Sequence, residues 1–322
     1  MNARVVSKQN AVSKQTVISK QREGLARALL VYQRERFPLL AYVPLVAAFT
    51  LSAALYSSYA AGWPSTSSPT VLDLAFGGLT ILCIFLLMRI ADEFKDAQDD
   101  ARYRPYRPVP RGLVTLKQLG WLAAIIVALI VSVHALGWPH LLPALSVILI
   151  YLGLMSVEFG ARGWLRVHPM TYAATHMVIL VLIAAYASGL GGGVGSPGVW
   201  MFLALSYTNG FVLEIGRKIR KPHDEEVGVD TYSALYGVRR AVTFWSVAII
   251  ASTAFALIAL HGLTTFPLPA TMLVAGAFAC LAIGRRHPGP IETLSGLWLL
   301  ASYLIVGTAP ILDAWLIAHI TS

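Results

Sequence analysis

Five acidic side chains fall within the run DEFKDAQDD, which begins at Asp92. Three of them, Asp92, Asp96 and Asp100, are spaced four residues apart. A helix stacks side chains at this spacing along one face, about 6 Å apart per step. Like charges placed in this way repel each other. The spacing therefore predicts a compensating positive charge beside this face.

Two sources of positive charge could supply that compensation. If the helix end is solvated, the flanking side chains Lys95, Arg102 and Arg104 would pair with the acids. Alternatively the carboxylates hold Mg²⁺, which takes oxygen ligands from one or two carboxylates, from water and from substrate phosphates.

The residues that follow the acidic run favour the metal. The segment ARYRPYRPVPRG contains three prolines, which stop a helix and stiffen an extended turn. Arginine makes bidentate contacts with phosphate oxygens. A row of metal-binding acids beside a rigid basic turn predicts a diphosphate site. The arginines of this turn are Arg102, Arg104, Arg107 and Arg111.

A second polar cluster lies at residues 214–230. Glu214 and Lys218 stand four residues apart, and an ordinary helical ion pair would account for these two alone. Pro222 ends the helix, and the segment GVDTYSALYG follows as a structured loop or short helix. If both clusters lie on one side of a bundle, a single site is expected between them.

The elements that position these clusters are predicted to span a membrane. The chain has 322 residues, 57% hydrophobic and 13% charged, whereas soluble domains carry about 25% charged residues. A bilayer core about 30 Å thick needs roughly 20 apolar helical residues. Nine segments meet or approach that length: 37–61, 71–90, 116–136, 141–157, 171–190, 199–213, 241–260, 267–283 and 293–318.

The basic residues predict how this nine-helix bundle is oriented. The 25 Lys and Arg residues lie before the first span, or in or within two residues of the connections that follow spans two, four, six and eight. None lies in the other connections or at the C-terminal end. Because Lys and Arg are retained on the cytoplasmic side, we expect a cytoplasmic N-terminus, an outer C-terminus and a polar site on the cytoplasmic side. The net charge of +9 therefore follows topology, and nucleic acid is not an expected partner.

The N-terminal segment predicts a domain boundary near residue 34. Residues 1–33 contain the repeats VSKQ, VSKQ and ISKQ, a basic low-complexity composition that cannot bury a core. We expect a disordered tail that touches anionic membrane lipids, with a cleaved targeting segment as the alternative. Residues 34–322 form the predicted helical domain.

From about residue 34 onward the chain resembles the UbiA superfamily of intramembrane prenyltransferases, which includes enzymes that prenylate 4-hydroxybenzoate, homogentisate, and haem and chlorophyllide precursors. The first motif of that superfamily is an Asn/Asp-x-x-x-Asp-x-x-x-Asp run that leads into an Arg-Pro turn and a glycine. Here it is matched by Asp92, Asp96, Asp100, Arg107, Pro108 and Gly112.

The second motif of the superfamily, an Asp-rich run leading into Gly-x-x-Thr, is matched in its tail by Gly228, Thr231 and Gly237. Glu214 stands where an Asp is usual, and Asp224 is the nearest candidate for the later acid. Arg217 and Lys218 occupy a stretch that is often acidic, so basic residues could contact a diphosphate directly there.

The resemblance implies an enzyme that uses two Mg²⁺ ions to transfer an isoprenoid group from a prenyl diphosphate donor to a lipophilic acceptor. Aromatic acceptors are one class among those open, and the sequence does not identify the acceptor. The resemblance places the site in a bacterial cytoplasmic (inner) membrane. The implied metal ligands are Asp92, Asp96, Asp100, Glu214 and Asp224, and Lys218 joins them as a catalytic candidate. The substrate-binding candidates are Arg102, Arg104, Arg107, Arg111, Arg217, Tyr151 and Tyr207.

Two other functions stay open on the sequence. An intramembrane terpene cyclase would ionise the same diphosphate without an external acceptor. A cation or lipid transporter would use the acids differently, but transporters place ionisable groups near the bilayer midplane and contain repeats, whereas these acids cluster at span ends.

Overall fold

The computed structural model describes residues 24–63 and 68–320, and all of its regular elements are helices. In chain order the α-helices are α1 (24–36), α2 (Leu39–Ala60), α3 (Val71–Lys95), α4 (Ala97–Tyr103), α5 (Leu116–Gly137), α6 (Leu142–Ser156), α7 (Arg162–Val167), α8 (Pro169–Gly189), α9 (Val199–Gly216), α10 (Tyr232–Tyr236), α11 (Val238–Leu260), α12 (Pro267–Arg286) and α13 (Ile291–Ile320).

Nine helices in the described part of the chain are long and apolar enough to cross a membrane: α2, α3, α5, α6 with the turn before it, α8, α9, α11, α12 and α13. This confirms the predicted nine-span, all-helical membrane fold. Successive spans alternate in direction, so α3, α6, α9 and α12 end where α2, α5, α8, α11 and α13 begin. We call this the site end of the bundle. The orientation of the site end relative to the cytoplasm stays a prediction.

Helix α9 lies at the centre of the bundle and α5 at its periphery. Of the most apolar stretch of α9, 61% is buried inside the protein, against 22% for α5. A buried polar network ties α9 to two neighbours. The Asn209 amide donates to Ser302 of α13 (3.1 Å) and accepts from Ser252 of α11 (2.6 Å). Such interhelical hydrogen bonds satisfy polar groups that lipid cannot.

The helix that carries the first acidic motif continues almost unbroken from α3 into α4. The amide of Asp96 donates to the carbonyl of Asp92 (2.9 Å), and the amide of Asp100 donates to that of Asp96 (2.8 Å). The three motif acids therefore keep helical spacing. Helix α4 ends before Pro105, as the prolines predict, and the basic turn that follows closes at Gly112 with a φ of +77°.

Helix α1 extends into the segment for which a disordered tail is predicted. Its residues 24–33 are helical, and Tyr32 is buried in a small cluster with Ile90, Val114 and Leu119. Burial of Tyr32 in this cluster stabilises the helix, although the composition of the segment predicts disorder. The three VSKQ-type repeats lie outside the described residues.

Candidate functional site

Two adjoining cavities open at the site end of the bundle. The outer cavity, about 230 Å³, is strongly charged, and the inner cavity, about 80 Å³, runs from a charged rim to an apolar floor. Lys95 and Tyr172 line both. The other polar residues of the outer cavity are Asp96, Asp99, Arg104, Glu158, Arg162, Arg166, Lys218 and Asp230. The inner cavity adds Asp92, His176, Glu214 and Arg217 above Met88, Leu152, Met155 and Met177.

The cavities bring the two predicted clusters together. Acids from the end of α3 and basic residues from the end of α9 line the same walls, as expected if one site lies between the motifs. The loop after α9 is held against α4 because Gly228, at a φ of +76°, packs directly on the Tyr103 ring. The Tyr106 hydroxyl also donates to Glu226 (2.8 Å).

The first two motif acids face the cavities. Asp92 lines the inner cavity, and Lys95 Nζ lies 3.4 Å from its Oδ1 and Arg89 3.5 Å from its Oδ2. Asp96 lines the outer cavity and, among the described residues, has no side-chain hydrogen bond or ion pair. Burial raises the pKa of the Asp96 carboxyl above its ordinary value; the nearby Lys95 opposes the rise, and repulsion from Asp92 and Asp100 adds to it.

Asp100 serves the basic turn instead of a cavity. Its side chain is 2% exposed, and both oxygens accept hydrogen bonds from Arg107 (2.9 and 2.7 Å). Arg104 Nε lies 2.9 Å from Oδ1. A buried carboxylate shared by two guanidinium groups anchors the turn to the end of α4.

The four arginines of the turn have different positions. Arg104 reaches the outer cavity, whereas Arg107 is bound to Asp100. Arg111 forms an ion pair with Glu35 (2.8 Å), and Arg102 lies over the Tyr103 ring, 5.1 Å from its centre. Neither Arg102 nor Arg111 lines a cavity.

The second cluster is built on a buried carboxylate that is already paired. Glu214 has a side-chain exposure of 3%. One oxygen accepts hydrogen bonds from Arg217, from Nε at 2.7 Å and from the terminal guanidinium nitrogen. Its other oxygen lies 2.7 Å from Lys218 Nζ. Asp224 is exposed beside His223 (3.5 Å) and is not brought to either cavity.

Lys95 and Tyr172 line both cavities and contact each other, and Tyr172 also contacts His176 of the inner cavity. None of the three is among the metal-binding or substrate-binding residues predicted from the sequence. Lys95 donates a hydrogen bond to the Tyr172 hydroxyl (2.7 Å), and the Tyr172 ring stacks on His176 with a centroid distance of 3.8 Å. Because Nδ1 of His176 contacts the Tyr172 carbonyl (2.8 Å), that nitrogen carries the proton. Nε2 is then a buried acceptor with no partner among the described residues. In the sequence, the position of Lys95 three residues after Asp92 is the feature that could have indicated this group.

The two tyrosines predicted to bind substrate donate hydrogen bonds to helix α8. The Tyr151 hydroxyl donates to the carbonyl of Thr175 (2.7 Å), and the Tyr207 hydroxyl donates to that of Ala174 (3.1 Å). Neither tyrosine lines the outer or inner cavity.

The donor set fits a magnesium ion at the first motif and not at the second. No group of three or more Asp, Glu, His or Cys side chains in the described ranges is arranged to hold a metal by itself. Mg²⁺ needs only one or two carboxylates when phosphates and water supply the remaining ligands. Asp96 has no ion pair among the described residues, and the cations beside Asp92 lie 3.4 and 3.5 Å away, so these two acids can provide the ligands. The cations at Glu214 are closer, at 2.7 Å from each oxygen.

A sequence model of the UbiA prenyltransferase family matches residues 46–300, which is most of the chain. This chain belongs to the UbiA prenyltransferase family. The match confirms the resemblance and the enzyme class predicted from the motifs. The protein is therefore a prenyltransferase of an integral membrane family.

Solved structures of UbiA homologues share the fold. A homologue from Aeropyrum pernix K1, in its apo form, aligns with a TM-score of 0.61 at 18% identity, covering 84% of this chain and 98% of that chain. A homologue from Archaeoglobus fulgidus bound to DMAPP and Mg²⁺ aligns with a TM-score of 0.51 at 13% identity, covering 82% and 98%.

A digeranylgeranylglyceryl phosphate synthase also aligns, with a TM-score of 0.52 at 13% identity, covering 84% of this chain and 98% of that chain. No curated protein sequence matches this chain significantly. At these identities the structural likeness establishes the fold, and the substrates must be argued from the site.

Proposed function

We propose that this UbiA-family protein uses Mg²⁺ to transfer an isoprenoid group from a prenyl diphosphate to a lipophilic acceptor within a bacterial inner membrane. The observation that supports this proposal is the pair of adjoining cavities, charged at the mouth and apolar at the floor. A prenyl diphosphate matches this arrangement, because it has a charged head group and an apolar hydrocarbon chain. The binding of DMAPP and Mg²⁺ by the homologue from Archaeoglobus fulgidus supports the same substrate class.

Asp92 and Asp96 would hold the metal between the outer and inner cavities. When bound, Mg²⁺ neutralises charge on the diphosphate and makes it a better leaving group. Lys95, Arg104 and Lys218 line the outer cavity and can bind phosphate oxygens directly. These groups would favour departure of the diphosphate because negative charge increases on it as the allylic C–O bond breaks.

The inner cavity would hold the reacting end of the prenyl chain. Its floor of methionine and leucine side chains limits water, which would otherwise capture an allylic cation. The acceptor forms a bond to the allylic carbon and releases a proton. The unpartnered Nε2 of His176 offers a hydrogen-bond acceptor to a hydroxyl or phenol bound there.

A labelled-substrate assay tests the proposal. Purified protein in lipid nanodiscs would be incubated with radiolabelled geranyl, farnesyl or geranylgeranyl diphosphate, Mg²⁺ and a panel of aromatic and lipid-alcohol acceptors. We expect a prenylated product that depends on an acceptor and disappears with EDTA. Asp96→Asn should lower turnover by about 100-fold or more, since loss of one preorganised electrostatic group typically costs that much.

Glu292→Gln is the matched control, because Glu292 is an exposed carboxylate at the first turn of α13, and it should retain full turnover. A cyclic hydrocarbon formed from the donor alone would assign the cyclase function instead. Cation flux in proteoliposomes without consumption of any prenyl diphosphate would contradict both enzymatic functions.

A further inference from the structure

The two walls of the outer cavity pair their charged side chains differently. On the side of α3 and α4, Asp96 has no side-chain ion pair or hydrogen bond within the described residues, and Asp99 lines the same cavity. On the side of α9, Glu214 alone faces both Arg217 and Lys218. The α3 and α4 wall also carries Lys95 and Arg104, each beside another carboxylate, whereas two cations face the single carboxylate of Glu214 on the α9 wall.

The spare cation is Lys218. Arg217 contacts Glu214 through two nitrogens and lines the inner cavity. Lys218 reaches the other oxygen of Glu214 from a side chain that stays 31% exposed and lines the outer cavity. Its Nζ also lies 5.6 Å from the ring centre of Tyr172 and 5.9 Å from that of Tyr232. The ammonium group is thus held at the cavity wall with N–H donors left for an anion.

Glu214 is poorly placed to bind a divalent cation, and among the described residues after α9 Asp230 is the carboxylate that lines the outer cavity. A metal ligated by Glu214 would displace two cations from a buried carboxylate, and it would stand beside both of them. Asp224, the next acid along the chain, is exposed outside the cavities. On the α3 and α4 side, Asp96 and Asp99 have no ion pair among the described residues and share the outer cavity with Lys95 and Arg104.

We propose that Lys218 binds the diphosphate directly in the position of a second metal ion, so that the substrate complex contains one Mg²⁺, held by the first motif. This inference rests on the proposed function, because it concerns the same diphosphate. In this arrangement one Mg²⁺ ion at Asp92 and Asp96 and the ammonium group of Lys218 on the opposite wall together balance the charge of the diphosphate.

Metal stoichiometry tests the proposal without turnover. The purified protein would be titrated with Mn²⁺ in the presence of farnesyl thiolodiphosphate, an analogue whose bridging sulfur resists ionisation, and free Mn²⁺ would be measured by electron paramagnetic resonance. We expect one Mn²⁺ per protein–analogue complex. Two tightly bound Mn²⁺ ions per complex would overturn the inference and leave the proposed function standing. If the analogue does not bind in the presence of metal, the proposed function fails as well.

Variants of Lys218 add a second measurement. Lys218→Met should weaken analogue binding by about 10- to 100-fold, the range for loss of a charged hydrogen bond, with the Mn²⁺ stoichiometry unchanged at one. Lys218→Arg should recover most of the affinity. Lys221→Met is the control, because Lys221 is an exposed lysine near Lys218 that lines neither cavity. The affinity of this variant for the analogue should equal that of the parent protein. Equal affinity for Lys218→Met and the parent protein would overturn the direct contact.

Discussion

Asp100 is predicted from its spacing to bind metal, whereas the structure makes it an anchor for the basic turn, and one substitution separates these roles. In Asp100→Asn the carboxylate charge is lost while the side-chain shape is kept. Arg104 and Arg107, whose side chains are 12% and 19% exposed, would then be mostly buried guanidinium groups without their counter-charge.

The expected cost follows from that burial. Removing one partner of a buried ion pair destabilises a protein by about 3–5 kcal/mol. Because the asparagine oxygen still accepts one hydrogen bond, we expect the lower end, about 3 kcal/mol. In a chain of this size the unfolding midpoint should fall by about 5 °C or more. Binding of a prenyl diphosphate should weaken at the same time, since Arg104 lines the outer cavity and would no longer be held there.

The measurement is thermal unfolding followed by intrinsic tryptophan fluorescence, at one fixed scan rate because unfolding of membrane proteins is commonly irreversible. Asp99→Asn is the matched control for stability. Asp99 is the preceding residue and has no side-chain ion pair among the described residues, so its change should stay within about 0.5 kcal/mol. If Asp100→Asn abolishes activity while its unfolding midpoint equals that of the parent, Asp100 acts as a ligand and the anchor interpretation is wrong.

Two further predictions concern the loop after α9 and the topology. Gly228→Ala places a Cβ against the Tyr103 ring at a φ of +76°. Gly237→Ala has a similar φ of +80° but no neighbouring atoms at its Cβ, so Gly228→Ala should be the less stable variant by about 1–3 kcal/mol. Equal unfolding midpoints for the two variants would show that the Tyr103 contact is not tight. In a background without the two native cysteines, a membrane-impermeant maleimide applied to intact cells should label Ser196→Cys and not Lys221→Cys, and the opposite pattern would reverse the predicted orientation.

The membrane fold was accessible from the sequence because its determinants are local. Span length follows from runs of apolar residues, and the alternation of basic connections identifies which ends of the helices share a side. The first motif was accessible for the same reason, since a four-residue spacing keeps Asp92 and Asp96 on one face wherever the helix lies. The ion pair of Glu214 with Lys218 is also local, and the sequence alone offers it as one explanation of those residues.

The roles within each motif depend on contacts that only the packed helices create. Asp92, Asp96 and Asp100 look equivalent by spacing, yet the chain reverses at the proline turn and returns Arg107 to Asp100, so that this acid is consumed by an ion pair. Tyr207 donates a hydrogen bond to a backbone carbonyl of α8, whereas Tyr172 lines both cavities. The difference arises because the rotation of each helix about its axis determines which of its faces meets a cavity.

The sequence by itself therefore determined the spans, their alternation and the presence of a diphosphate-type motif, all of which arise from residues near one another along the chain. The tertiary structure decided which charges remain available for a ligand. That decision depends on how the turn after α4 folds back on Asp100 and on which faces of α3, α8 and α9 meet the cavities, since a charge is free only when no opposite charge lies within reach.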